Sequence, residues 1–152
     1  MFSWTKTLDQ YETFRISPGD SNKFVLLVDG VRLGRELEEP AASFMMAIEI
    51  FDPGGRTPIN VHEVAFEHFF VLAGEGRAFL DDFAVALVPG AHLVVPPKTV
   101  HYIVNQGVGR LYLLTSMIPD EGFSTLIRAG IPDALDAEDE AVIRHAVKAV
   151  DR

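Results

Sequence analysis

Apolar and polar positions alternate with a period of two through much of the middle of the chain. Phe44, Met46, Ile48 and Ile50 are interleaved with Met45, Ala47, Glu49 and Phe51, the pattern of a strand whose side chains point alternately to two faces. The first set is wholly apolar and is expected to face a core. The second carries Glu49 and is expected to be the less buried face. Further strand-forming runs lie at Tyr11–Ile16, Lys23–Val28, Glu67–Ala73, Gly76–Leu80, Phe83–Val88, Ala91–Val95, Val100–Asn105 and Arg110–Met117. Turns separate them at Asp52–Gly55, Gly74–Gly76 and Pro89–Gly90, and Asp81 with Asp82 reads as a hairpin tip. Short strands at this spacing, divided by Gly and Pro, predict an all-β barrel or sandwich. The period changes in the tail. Phe123–Ala129 predicts a short helix, stopped by Gly130 and Pro132. Asp136 is placed to cap a longer helix running to about Asp151, with Val142, Ile143, Ala146, Val147 and Val150 as its apolar stripe. There is no repeat, low-complexity tract or linker, so residues 1–152 are read as one domain with a helical extension over about 120–152.

Charge and composition narrow the functional classes. With 22 acidic against 13 basic side chains the net charge is −9, which disfavours nucleic acid and anionic membrane surfaces as partners. The absence of cysteine excludes a disulfide framework, a thiol nucleophile and a thiolate zinc site. Met1–Lys6 lacks the apolar core of a signal peptide, and the longest uncharged run, Phe83–Pro97, is short and broken by prolines. A cytoplasmic protein without a membrane span is the expectation. The acidic cluster Asp133, Asp136, Glu138, Asp139 and Glu140 reads as a solvated helix start.

The candidate chemistry lies in the histidines. Asn60 and His62 are two apart, so on a strand they point the same way. Glu67 follows across a short turn, and His101 opens a later strand with Ile103 and Asn105 on the same face. If the strands close into a barrel, these groups converge in its interior. Buried ionisable groups need compensation, and a bound divalent metal supplies it for two imidazoles and a carboxylate. Such a set with open positions suits non-haem Fe(II), and Mn, Ni, Zn and Co occupy similar sets. His68 is expected to point away from Glu67, His92 to approach the site from the strand before His101, Glu63 to lie at the rim, and His145 to be exposed. Phe44, Met46, Ile48, Phe69, Ile103 and Tyr112 are expected to line a substrate pocket, whose apolar walls favour a hydrophobic or aromatic small molecule.

At these residues the chain resembles a small single-domain cupin. The first cupin motif reads Gly54, five residues, Asn60-Val-His62, four residues, Glu67, six residues, Gly74. The second reads Gly90, five residues, Pro96-Pro-Lys98, two residues, His101, three residues, Asn105, with Glu75–Pro89 between them. The resemblance implies a jelly-roll barrel of two antiparallel sheets with one divalent metal in its mouth, held by His62, Glu67 and His101. Asn60 replaces the first histidine of the motif, as a weaker amide ligand or as a partner for bound water. Lys98 replaces the motif glycine and must take a turn-compatible backbone. The activities implied are metal-dependent and act on small molecules. Oxygenase-type chemistry leads, isomerase, cyclase or hydrolase chemistry is the alternative, and a non-catalytic ligand-binding or sensor domain is a third reading. The resemblance also implies a homodimer formed by sheet pairing and exchange of N-terminal strands.

Overall fold

The computed structural model describes residues 5–148, with side chains as far as His145. After a single 3₁₀ turn at Leu8–Gln10, ten strands and three α-helices follow one another in the order β1 (Glu12–Arg15), β2 (Asn22–Asp29), α1 (Gly30–Leu37), β3 (Met45–Phe51), β4 (Phe66–Ala73), β5 (Gly76–Leu80), β6 (Phe83–Leu87), β7 (His92–Val95), β8 (His101–Asn105), β9 (Leu111–Ile118), α2 (Phe123–Arg128), β10 (Ile131–Asp133) and α3 (Ala137–Lys148). The predicted strands form close to their expected limits, because turn residues end them, Gly or Pro in most cases and Asp81 with Asp82 between β5 and β6. Short helix α1 and strand β10 carry no comparable signal. Asp29 caps α1 by accepting from the Arg32 N–H at 3.0 Å, but the helix itself is short and holds two glycines. Strand β10 is three residues long and forms only because β1 lies beside it.

Seven strands make one antiparallel sheet in the order β10-β1-β2-β3-β9-β4-β7, and β6-β5-β8 make a smaller one. The outer edge of β8 is joined by the irregular segment 55–60. There the Thr57 and Asn60 N–H groups donate to the Ile103 and His101 carbonyls at 3.0 and 2.8 Å. The two sheets enclose one apolar cluster that includes Phe51, Phe69, Val71, Leu80, Ile103 and Leu113. A second cluster, which includes Phe24, Leu26, Met45, Ala47, Met117 and Ile127, is closed by α2. A third lies on the outer face of the large sheet, where Ile143 of α3 packs with Val25, Ile48, Ile50 and Tyr112.

That third cluster reverses the expected orientation of β3. Met45, Ala47, Glu49 and Phe51 point into the barrel, while Ile48 and Ile50 point outward under α3. Both faces of the strand are buried, so hydrophobicity could not choose between them. The helix stripe accordingly packs on its own barrel through Val142 and Ile143. Ala146, Val147, Val150 and the expected helix end at Asp151 lie outside the described side chains. The N-terminal strand β1 likewise pairs within its own chain, with β2 and β10.

A buried ion pair holds α3 down. Asp136 and Asp139 cap the helix reciprocally, each accepting the other's backbone N–H at 3.0 and 3.1 Å. Asp139 is 0% exposed and faces Lys23, which is 3% exposed. It also accepts from Tyr112 Oη and Arg110 Nη1, both at 3.0 Å. Burial and the neighbouring Asp139 charge hold the Tyr112 hydroxyl well above its ordinary pKa. The acidic run is thus a solvated helix start except at Asp139 and at Asp133, which lies in β10 and accepts from Arg15 Nε at 2.8 Å. Asp139→Ala leaves a buried lysine unpaired and should cost about 3–5 kcal/mol in urea unfolding. Replacing both partners, Lys23→Met with Asp139→Leu, should cost clearly less.

Candidate metal centre

Three elements bring three donor atoms to one point. Glu67 enters the barrel from β4, with Phe69 and Val71 on the same face of that strand. His101 enters from the first position of β8. His62 lies in the segment between β3 and β4. Both imidazoles turn Nε2 to the same carboxylate oxygen: His101 Nε2 is 2.8 Å from Glu67 Oε2, and His62 Nε2 is 3.2 Å from it. The three ligand atoms lie within 4.8 Å of one another. Glu67 and His101 are 5% and 4% exposed.

The remaining hydrogen bonds decide what this arrangement can hold. His101 Nδ1 donates to the Thr99 carbonyl at 2.9 Å, so in the neutral ring Nε2 carries the lone pair. A lone pair and a carboxylate oxygen 2.8 Å apart repel unless a positive charge lies between them or a proton joins them. Without a metal, a proton takes that role. Burial pushes the His101 pKa down, but the hydrogen bonds to Glu67 and Thr99 outweigh it and raise the pKa above the ordinary histidine value. Burial pushes Glu67 up, and the hydrogen bonds from His101 and His62 outweigh it and hold the carboxyl below its usual range. A divalent cation meets the same demand with three donors of the right kind, two imidazole nitrogens and one carboxylate oxygen. The residues fit a metal.

The turn that follows His62 is held by a residue absent from the motif. Glu121, in the turn after β9, accepts from the Val64 and Ala65 N–H groups through Oε1, both at 2.6 Å. Its Oε2 lies 3.8 Å from His62 Nδ1. Burial raises the Glu121 pKa slightly, and these backbone N–H groups more than offset it. Lys98, at the motif glycine, has φ +65°, and its N–H donates to the His62 carbonyl at 2.6 Å. The lysine pays left-handed strain to close the turn that presents His62. Asn105 ties loops together: its Nδ2 donates to the carbonyls of Phe51, Asp52 and Gly109. Gly74 has φ +85°, and a Cβ there would lie 2.3 Å from the Arg110 carbonyl oxygen.

Glu67 and His101 open on a cavity of about 450 Å³ whose lining also includes Asn60, Asn22, Glu49 and Phe24. Of the residues expected in a substrate pocket, Phe69 and Ile103 line this cavity, whereas Phe44, Met46, Ile48 and Tyr112 do not. Met46 lies on the outer sheet face, Ile48 and Tyr112 sit under α3, and Phe44 precedes β3. The reversed orientation of β3 displaces Met46 and Ile48, and the bond to Asp139 holds Tyr112 outward. His92 is also elsewhere, its ring stacked on His68 at 5.6 Å on the outer face.

Sequence reasoning missed Glu49 as a site residue. It is 2% exposed, accepts from Asn22 Nδ2 at 3.0 Å and lines the cavity. Burial, reinforced by the Glu67 charge, pushes its pKa up to about 8. The available signal was its isolation: one carboxyl in a strand otherwise wholly apolar. The folded state binds this proton more tightly than the unfolded state, where the carboxyl has an ordinary pKa near 4.5. Its stabilising contribution is therefore complete below about pH 4.5 and is lost as pH rises toward 8. The stability of Glu49→Gln relative to wild type should rise across pH 5–8 by up to about 1.4 kcal/mol per unit, in urea unfolding of chelator-treated protein.

Comparison with known proteins agrees with this architecture. The family model described as a cupin domain matches residues 47–117. No curated protein matches the sequence. Among solved structures, an RmlC-like cupin from Shewanella frigidimarina superposes with a TM-score of 0.62 at 19% identity, covering 78% of this chain and 92% of that one. A predicted oxalate decarboxylase from Thermotoga maritima gives 0.62 at 21% identity, over 76% of this chain and 99% of that one. A sugar phosphate isomerase of the cupin superfamily from Silicibacter pomeroyi gives 0.58 at 18%, over 75% and 74%. At these identities the structures speak for the fold alone. Two closely spaced motifs, a barrel of two antiparallel sheets and a matching family model lead to one conclusion: the chain carries a small cupin domain.

Proposed function

We propose that this protein is a metal-dependent enzyme acting on a small molecule bound in the barrel cavity. The observation that carries the reading is the approach of His62 Nε2 and His101 Nε2 to the single oxygen Glu67 Oε2. His62, Glu67 and His101 are the proposed ligands. Asn60 is placed to contribute from the segment bridged to His101, whose N–H donates to the Asn60 carbonyl at 2.9 Å. Three protein ligands leave positions open, which supports oxygenase-type chemistry on an apolar or aromatic substrate. A bound divalent ion would supply Lewis acidity at the cavity wall. The protein's part is to hold the His101 ring through Thr99, to fix the turn after His62 through Glu121, and to exclude water with the phenylalanine walls.

Glu49 favours a second reading. A neutral carboxyl in the same cavity suits proton-transfer chemistry without O₂, as in an isomerase, cyclase or hydrolase. Elemental analysis of untagged protein tests the shared premise. Wild type should hold about one Fe, Mn, Ni, Zn or Co per chain and His101→Ala none. Wild-type protein that stays metal-free after incubation with Fe(II), Mn(II) and Zn(II) would overturn it. Oxygen uptake by the iron form then separates the two readings.

We also infer that the protein is a homodimer. The outer face carrying Met46, Phe70, His68, His92 and Leu114 holds no carboxylate or permanent cation, and Phe66, Phe70 and Ile118 are exposed. On a chain of net charge −9, such a face is where a second copy can approach without like-charge repulsion. Phe70→Asp should convert a dimer to monomer in sedimentation analysis; a wild-type monomer would refute the inference.

A further inference from the structure

Asn22 and Glu49 form a polar pair inside the barrel that the metal-ligand set does not use. The Arg56 N–H donates to Ser21 Oγ at 3.2 Å, and Ser21 Oγ donates to Asn22 Oδ1 at 3.1 Å. That chain sets the amide orientation and leaves Asn22 Nδ2 to donate to Glu49 Oε1 at 3.0 Å. With Oε1 engaged as an acceptor, the proton of the neutral acid sits on Oε2. This oxygen has no protein hydrogen-bond partner among the described residues. Nor is it among the enclosed unpartnered polar atoms, of which the Thr115 hydroxyl is the one found there. Glu49 lines the cavity, so Oε2 is the edge of the pair that a ligand can reach.

We propose that Glu49 is a specificity-determining residue of the cavity, donating a hydrogen bond from Oε2 to an oxygen of an aromatic oxo acid. The proposal rests on the reading above that the cavity takes a small molecule. The walls set the body of that ligand: Phe24, Phe69 and Phe123, with Ile16, Ile103 and Leu126, are aromatic or aliphatic. The polar groups set its head. Glu67 and His101 present the metal-ligand edge, Glu49 the neutral donor, and Arg56 and Asp20 add one charge of each sign to the lining. Arg56 brings a permanent positive charge to the lining, so an anionic head is accepted there, and burial, the larger cause of the raised Glu49 pKa, favours the neutral acid. A second ionised carboxylate at Glu49 would repel that head, whereas a neutral acid binds it.

Benzoylformate is the probe, an aromatic ring carrying adjacent carbonyl and carboxylate groups. In the infrared spectrum at neutral pH, wild type should show a protonated-carboxyl C=O band that Glu49→Gln lacks. Benzoylformate should shift that band to lower frequency. Glu49→Gln, whose amide still donates, should bind the probe within threefold of wild type, and Glu49→Leu at least tenfold more weakly. Metal content, measured on every sample, should be unchanged. The proposal is overturned if benzoylformate does not bind wild type saturably, if the band is absent or unmoved, or if Glu49→Leu binds as wild type does. The band shift is read on wild type and stands even if a variant misfolds. A metal-free wild type would defeat the metal reading, while the band shift would still decide the role of Glu49.

Discussion

Two imidazole nitrogens and a carboxylate oxygen directed at one another inside an apolar barrel are stable only if positive charge joins them. Much of the surrounding structure serves that one constraint. Strand β4 delivers Glu67 on the same face as Phe69 and Val71, so the carboxylate is carried inward by the packing of its neighbours. Strand β8 delivers His101 opposite the 55–60 segment, and the Thr99 carbonyl fixes which ring nitrogen keeps its lone pair. The turn bearing His62 is held from two sides, by the left-handed backbone at Lys98 and by Glu121.

The cavity sets two carboxyl groups in opposite states. Glu67 is kept ionised because histidines hydrogen-bond to it; Glu49 is kept neutral because burial and the Glu67 charge oppose its ionisation. Such divergence between neighbouring acids lets one group bind charge and another donate hydrogen. It also explains why the interior tolerates Glu49 at all. A neutral acid bonded to Asn22 costs far less to bury than a second carboxylate.

The outer face of the large sheet matters to the site although it touches none of it. Helix α3 covers Ile48, Ile50 and Tyr112, and the Lys23–Asp139 pair with its hydrogen bonds anchors that helix. Covering this face makes the outward set of β3 as buried as the inward set. It therefore permits the orientation that puts Glu49 in the cavity.

Strand positions and the spacing that lets His62, Glu67 and His101 approach one another were legible in the sequence, because turn residues and period-two spacing are local properties of the chain. The same locality put Phe69 and Ile103 in the cavity, each two residues from a metal-ligand candidate on its own strand. What the sequence could not decide was which face of β3 points inward. Both faces are apolar but for Glu49, and the choice depends on α3, some ninety residues downstream. Tertiary structure alone therefore placed Glu49 and Asn22 inside, moved Met46, Ile48 and Tyr112 outside, and brought Glu121 to His62. Each of these rests on contacts between segments distant in the chain, and no local period records such contacts.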